Sequence, residues 1–225
     1  MRRALGWACW KTYVGRPEAD QARRFSMNLL GLALSEQWTE VDQLTDAAAV
    51  QEAELSMKRR LGASEESLVN SQSNLAVTYG RLGRYEQALS MQRDAYSGSL
   101  GLYGEENGIC LMRGSNLANT LWQLNHFEEA ASLLRNMIPV ARRVVGESRD
   151  QTLRMRGIYA MVLYKNDTAT LADNREAVTT LEDIVRIGQR ALGGAHPLVE
   201  LSKVELRDAR AALRAREDGQ EVKFV

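Results

Sequence analysis

The chain has 225 residues, 44% of them hydrophobic and only three of them proline, so a sizeable core is feasible and little interrupts a helix. Its 29 basic and 29 acidic residues cancel, which leaves no overall field to steer nucleic acid or an anionic membrane surface, and no stretch approaches the ~20 apolar residues that span a bilayer. Cys9 and Cys110 stand apart, and with only His126 and His196 as imidazole donors neither a disulfide framework nor a clustered metal site is expected.

The N-terminus, MRRALGWACW, opens like a signal peptide, but Lys11 ends its apolar run too soon. These features predict a cytoplasmic protein without cofactors. The aromatic lead with Trp7, Trp10 and Tyr13 reads as a capping segment over the first helix. Pro17, Glu18 and Asp20 suit a first helical turn. The helix they open is expected to run to about Trp38, with Phe25, Leu29, Leu32 and Ala33 as its apolar stripe. Residues 1–40 thus form an N-terminal capping segment and first helix. A second helix, about Val41 to Leu61, closes at Gly62, the first of three glycines spaced by 42: Gly62, Gly104 and Gly146. Each is expected to end a helix in the left-handed conformation. Polar residues follow to start the next: Ser64, Glu65 and Glu66; then Glu105 and Glu106; then Glu147 and Ser148.

The same spacing governs a longer motif. NLAVTYGRLGRYEQA, Asn74 to Ala88, returns as NLANTLWQLNHFEEA, Asn116 to Ala130, with Leu75 matched by Leu117, Ala76 by Ala118 and Ala88 by Ala130. Gly83 in one unit and Asn125 in the next divide each into two helices, since both tolerate positive φ. Ala76 and Ala88 let the pair approach, and Leu89, Ala95 and Leu102 continue the stripe of the second helix. Gly98 and Gly101, with Gly104, read as punctuation at its end. The third unit keeps Ala160, but Gly146 to Gly193 and Ala130 to Ala177 are both 47. A five-residue insertion near 166–173 accounts for this, placed in a turn because loops absorb insertions. Pro139 falls inside a helix at a local cost of ~3 kcal/mol. After GGAHP comes a last helix, about Leu198 to Arg216, with Arg207 where the repeat expects a small residue. A polar end helix closes an array. Residues 41–196 are therefore the array, 197–216 its C-terminal capping helix and 217–225 a flexible tail.

The pattern Leu-Ala-x-x-Tyr followed by Gly-x-Tyr-x-x-Ala resembles the tetratricopeptide repeat. With a period of 42 where ~34 is usual, it resembles the repeats of kinesin light chains in particular. A HEAT or armadillo-type pair of 40–47 residues is the competing architecture. The recurrent Asn-Leu-Ala and the aromatic three residues before Ala88 and Ala130 favour the tetratricopeptide. The resemblance implies an all-α superhelix of stacked helix pairs. It does not extend to the heptad coiled coil by which full kinesin light chains hold their heavy chains.

Function is then expected in a concave groove lined by the first helix of each pair. The resemblance implies that the asparagine before Leu-Ala faces a bound peptide's backbone, which singles out Asn74 and Asn116; an amide both donates and accepts. Ile158 takes the third such position. Arg154 lies one turn before it, where chaperone-binding relatives hold a basic residue for a C-terminal carboxylate, but Asn70 and Ile158 leave that clamp incomplete. Arg81 and Lys165 match one another near the ends of their helices. Together with Arg154 they would favour acidic peptide segments. Trp122 and the methionines Met57, Met91, Met112, Met155 and Met161 read as packing residues. No Gly-x-Ser-x-Gly elbow, phosphate loop or dinucleotide turn occurs, so catalysis is not expected. The sequence predicts a protein–protein adaptor. The alternative is a structural or self-associating scaffold module, including the case of a fragment of a larger repeat protein.

Overall fold

The computed structural model describes residues 2–17, 19–35 and 41–219. Among these are ten α-helices and no strand. Contacts divide the chain into two compact units, Met1–Leu102 and Tyr103–Val225.

The first unit holds α1 (Arg2–Tyr13), α2 (Gln21–Ser35), α3 (Val41–Arg60), α4 (Glu65–Arg81) and α5 (Tyr85–Tyr103). The aromatic lead is itself the helix α1, packed on α2. α2 starts later than Pro17, because Asp20 caps it by accepting the Arg23 amide at 3.0 Å. Its expected end near Trp38, the acidic Glu18 and the side chains of Leu32 and Ala33 lie outside the described residues. The expected stripe is one residue out of register. Phe25 is 65% exposed, while Ser26 and Leu30 are buried. The reason is the close approach of α3. A Cβ on Gly31 would come within 3.0 Å of the Gln51 side chain, so Gly31 and Ser26 take the inward face beside Leu30, where the bulk of Phe25 would not fit.

In α3–α5 the core joins Ala48 and Leu55 to Leu75, Tyr79 and Ala88. Tyr79 donates from its hydroxyl to Glu52 at 2.7 Å. The stripe of α5 runs through Ala88, Leu89, Ala95 and Ser99, and Leu102 lies on the exposed side. Gly98 and Gly101 sit inside α5. Gly98 marks a close helix approach: a Cβ there would lie 2.7 Å from Cγ2 of Val69 on α4. Gly98→Ala is therefore expected to lower stability by about 1–3 kcal/mol. Adding Val69→Ala should recover part of that in urea unfolding, a gain that two independent losses would not give.

The second unit holds α6 (Gly108–Gln123), α7 (Phe127–Val144), α8 (Asp150–Tyr164), α9 (Leu171–Ala191) and α10 (Pro197–Glu217). Each packs on the next, and α8 also touches both α6 and α10. The first helices of successive pairs therefore lie side by side, as stacked helix pairs require. Ala118, Ala130, Leu134, Ala160, Ala177 and Ile184 are all fully buried between them.

The helix ends follow the glycine series: Gly62, Gly104, Gly146 and Gly193 all have positive φ, as do Gly83 (73°) and Asn125 (59°). The starts differ in detail. Asn107, not Glu105 or Glu106, begins α6 by accepting the Ile109 amide at 2.8 Å. Glu147 lies ahead of α8 and bonds Arg156 instead, at 3.1 Å. A short side chain beside the helix start reaches the free amides; a longer one two or three residues earlier is left for ion pairing. Between α8 and α9 the connection covers residues 165–170, against 82–84 and 124–126 in the earlier pairs. It ends in a reciprocal cap between Thr170 and Asp173. α7 continues through Pro139.

Candidate functional site

Where α6, α8 and α10 run side by side they enclose a cleft of about 310 Å³. α6 contributes Ser115, Asn116 and Asn119; α8 contributes Arg154, Gly157, Ile158 and Met161; α10 contributes Leu198, Leu201, Ser202 and Glu205; Leu181 of α9 completes the lining. These positions follow from helical spacing. Arg154, Gly157, Ile158 and Met161 stand at i, i+3, i+4 and i+7, so they share one face of α8. The same rule brings Leu198, Leu201, Ser202 and Glu205 together on α10.

The cleft has two chemistries. Its α6 wall is made of uncharged donors and acceptors. Its α8 and α10 walls are largely apolar, with Leu201 half exposed at 51%. Gly157 leaves the middle open: a Cβ built there meets nothing within 4 Å, so a ligand can lie directly against the helix backbone. Charge sits at the edges. Arg154 is exposed and donates from Nε to Asp150 at 2.6 Å. Glu205 is nearly buried and binds Lys165, with Nζ to Oε2 at 3.0 Å. The fully buried Tyr164 also donates its hydroxyl to Glu205. Burial first, and then the Glu205 carboxylate, hold the Tyr164 phenol well above the usual tyrosine range. The Lys165 ammonium stands 5.5 Å from the Trp122 ring and 5.5 Å from that of Tyr164. A buried polar knot thus ties α8 to α10 at the end of the cleft.

The expected site residues separate accordingly. Asn116 and Arg154 line one cleft. Lys165 adjoins it through Glu205 and is committed to that ion pair and to two rings. Asn74, half-buried, and Arg81, exposed, lie on α4 in the first unit. Trp122 is half-buried beneath Lys165. Met57, Met155 and Met161 are buried, but Met112 is 47% exposed and does not fill a core. Glu205 lies outside the expected set, and its one signal in the sequence is that the offset carrying Gly146 to Gly193 carries Ile158 to Glu205. Gly157, Asn119 and Leu201 had none, because only the fold shows which helices meet. Among the described residues no cluster of three potential metal ligands occurs, and no helix is long and apolar enough to cross a membrane.

The tetratricopeptide repeat family model matches residues 68–107 and 111–151. Two crystal structures of a Podosopora anserina protein, assigned as a kinesin light chain and built of nearly identical TPR-like repeats, share the fold. One of them, a point variant, is 22% identical with a TM-score of 0.70 over 87% of this chain and 89% of that one. The other is 21% identical with a TM-score of 0.68 over 91% of each. BtubC (BKLC) from P. vanneervenii is 16% identical, with a TM-score of 0.61 over 100% of this chain and 94% of its own. No curated protein matches the sequence. Residues 68–107 and 111–151 thus match tetratricopeptide repeats, and the all-α fold is like that of these kinesin-light-chain-like repeat structures. A fold of this class is a scaffold for contacts with other proteins.

Proposed function

We propose that the protein is a cytoplasmic adaptor that captures a peptide segment of a partner protein, with the cleft of the second unit as a binding site. The observation that carries this is the division of that cleft into an amide wall, Asn116 and Asn119, and an apolar wall, Met161, Leu198 and Leu201, across the open backbone of Gly157. An extended peptide needs that combination: main-chain groups to hydrogen-bond on one side and a side chain to bury on the other. Arg154 at the rim favours an acidic residue beside the buried one, and its pairing with Asp150 in the free protein makes this a rim preference, not a carboxylate clamp. Asn74 and Arg81 serve the same kind of contact in the first unit, while Lys165 acts through Glu205.

The test is a peptide-library selection against the intact chain, repeated with Asn74→Ala plus Asn116→Ala. Recovered sequences should share an apolar residue next to an acidic one. The double variant should lose them while its circular dichroism and melting stay unchanged. Recovery of the same peptides by the variant would refute the reading.

A further inference from the structure

The far side of α10 carries a second surface. Lys203, Leu206, Arg207, Arg210, Ala211 and Arg214 line a shallow groove along it. Their spacing, i, i+3, i+4, i+7, i+8 and i+11, is that of one helix face, turned away from the Leu201 and Glu205 face that meets the cleft. In the repeat register Arg207 corresponds to Ala118 and Ala160, both fully buried in helix pairs, and Arg210 corresponds to Leu121 and Leu163, also buried. In those pairs the face receives the second helix of its unit, α7 or α9. The fold thus shapes this groove to receive a helix, and the sequence sets its chemistry: two arginines stand where an apolar helix would need Ala and Leu.

We infer that this face of α10 docks an acidic helical segment of a partner protein. An apolar helix would bury the Arg207 and Arg210 guanidiniums with most of their donors unmet beyond one local carboxylate each, at a cost that disfavours it. An acidic helix satisfies both the shape and the charge. The cations hold local partners already, Lys203 with Glu200 at 2.7 Å, Arg207 with Asp208 at 3.1 Å and Arg210 with Glu182 at 2.7 Å. The arginine side chains remain 75% and 50% exposed, and a guanidinium has five donors, so a further carboxylate can be bound alongside.

The experiment titrates the intact chain into a fluorescein-labelled amphipathic peptide, helical by circular dichroism, with Glu on its polar face and Leu and Ala on the other. A twin peptide carries Gln for Glu. The acidic peptide should bind, and Arg207→Glu with Arg214→Glu should weaken it about tenfold or more, as should the Gln twin. Asn116→Ala in the cleft should leave it unchanged, which separates this surface from the proposed peptide site. Should the reversal variant lose helix content, Arg207→Gln with Arg214→Gln gives the same reading with a smaller loss. Absence of binding, equal binding by the charge variants, or equal binding of unstructured polyglutamate, a short DNA duplex or phosphatidylserine vesicles would overturn the inference. Self-association that the charge variant abolishes would overturn it too.

Discussion

Leu153→Ala is expected to destabilise the second unit by about 2–5 kcal/mol, towards the top of that range. Leu153 is fully buried in α8. One of its methyls, Cδ1, lies 3.8 Å from where a Cβ on Gly188 of α9 would stand, and that same Cβ would be 2.8 Å from Cγ2 of Val199 on α10. Three helices therefore meet around a glycine. Collapse is what usually reduces the cost of a cavity, and here Gly188 offers no side chain to swing in. Leu153→Met, which conserves volume, should cost less than about 1.5 kcal/mol. Urea unfolding of the two variants checks the contrast; equal losses would mean that the site repacks freely.

Glu205→Leu should have the second large effect, through chemistry and not volume. It leaves the hydroxyl of the fully buried Tyr164 without its acceptor, a loss of about 1–3 kcal/mol. It also frees Lys165 from its 3.0 Å partner. Glu205→Gln keeps an acceptor for the phenol and should lose less. Adding Tyr164→Phe to Glu205→Leu should regain stability, because the hydroxyl that lost the Glu205 acceptor is then gone; a double-mutant cycle measures the coupling. If Tyr164→Phe adds its own full cost in both backgrounds, the hydrogen bond is not what holds α10 to α8.

These two sites show how far the sequence could be read. The helix pairs were legible because a period of 42 repeats both the small crossing residues, Ala76 and Ala118, and the left-handed closures, Gly62, Gly104 and Gly146. Such positions answer to local backbone geometry, which spacing records directly. Gly98 and Phe25 were not legible. A glycine inside α5 and a phenylalanine facing solvent on α2 are set by how closely a neighbouring helix passes, and a single helix's hydrophobic pattern does not contain that distance. The cleft lies between the two cases. Asn116 and Arg154 follow from the motif and its resemblance, and they meet in one lining. Glu205 follows from the insertion-shifted offset. Gly157 is visible only where three helices leave its face empty.

Gly157 also supplies the sharpest test of the account. Gly157→Leu projects a side chain into open space on a helix that gains propensity by losing a glycine, so the fold should hold or tighten while the cleft is filled. The measurement is the affinity of a library-selected peptide, by titration calorimetry, for the parent chain and for this variant. A loss of about tenfold or more, with melting unchanged or raised, is the result that cleft binding predicts. Undiminished affinity in the filled variant would contradict it.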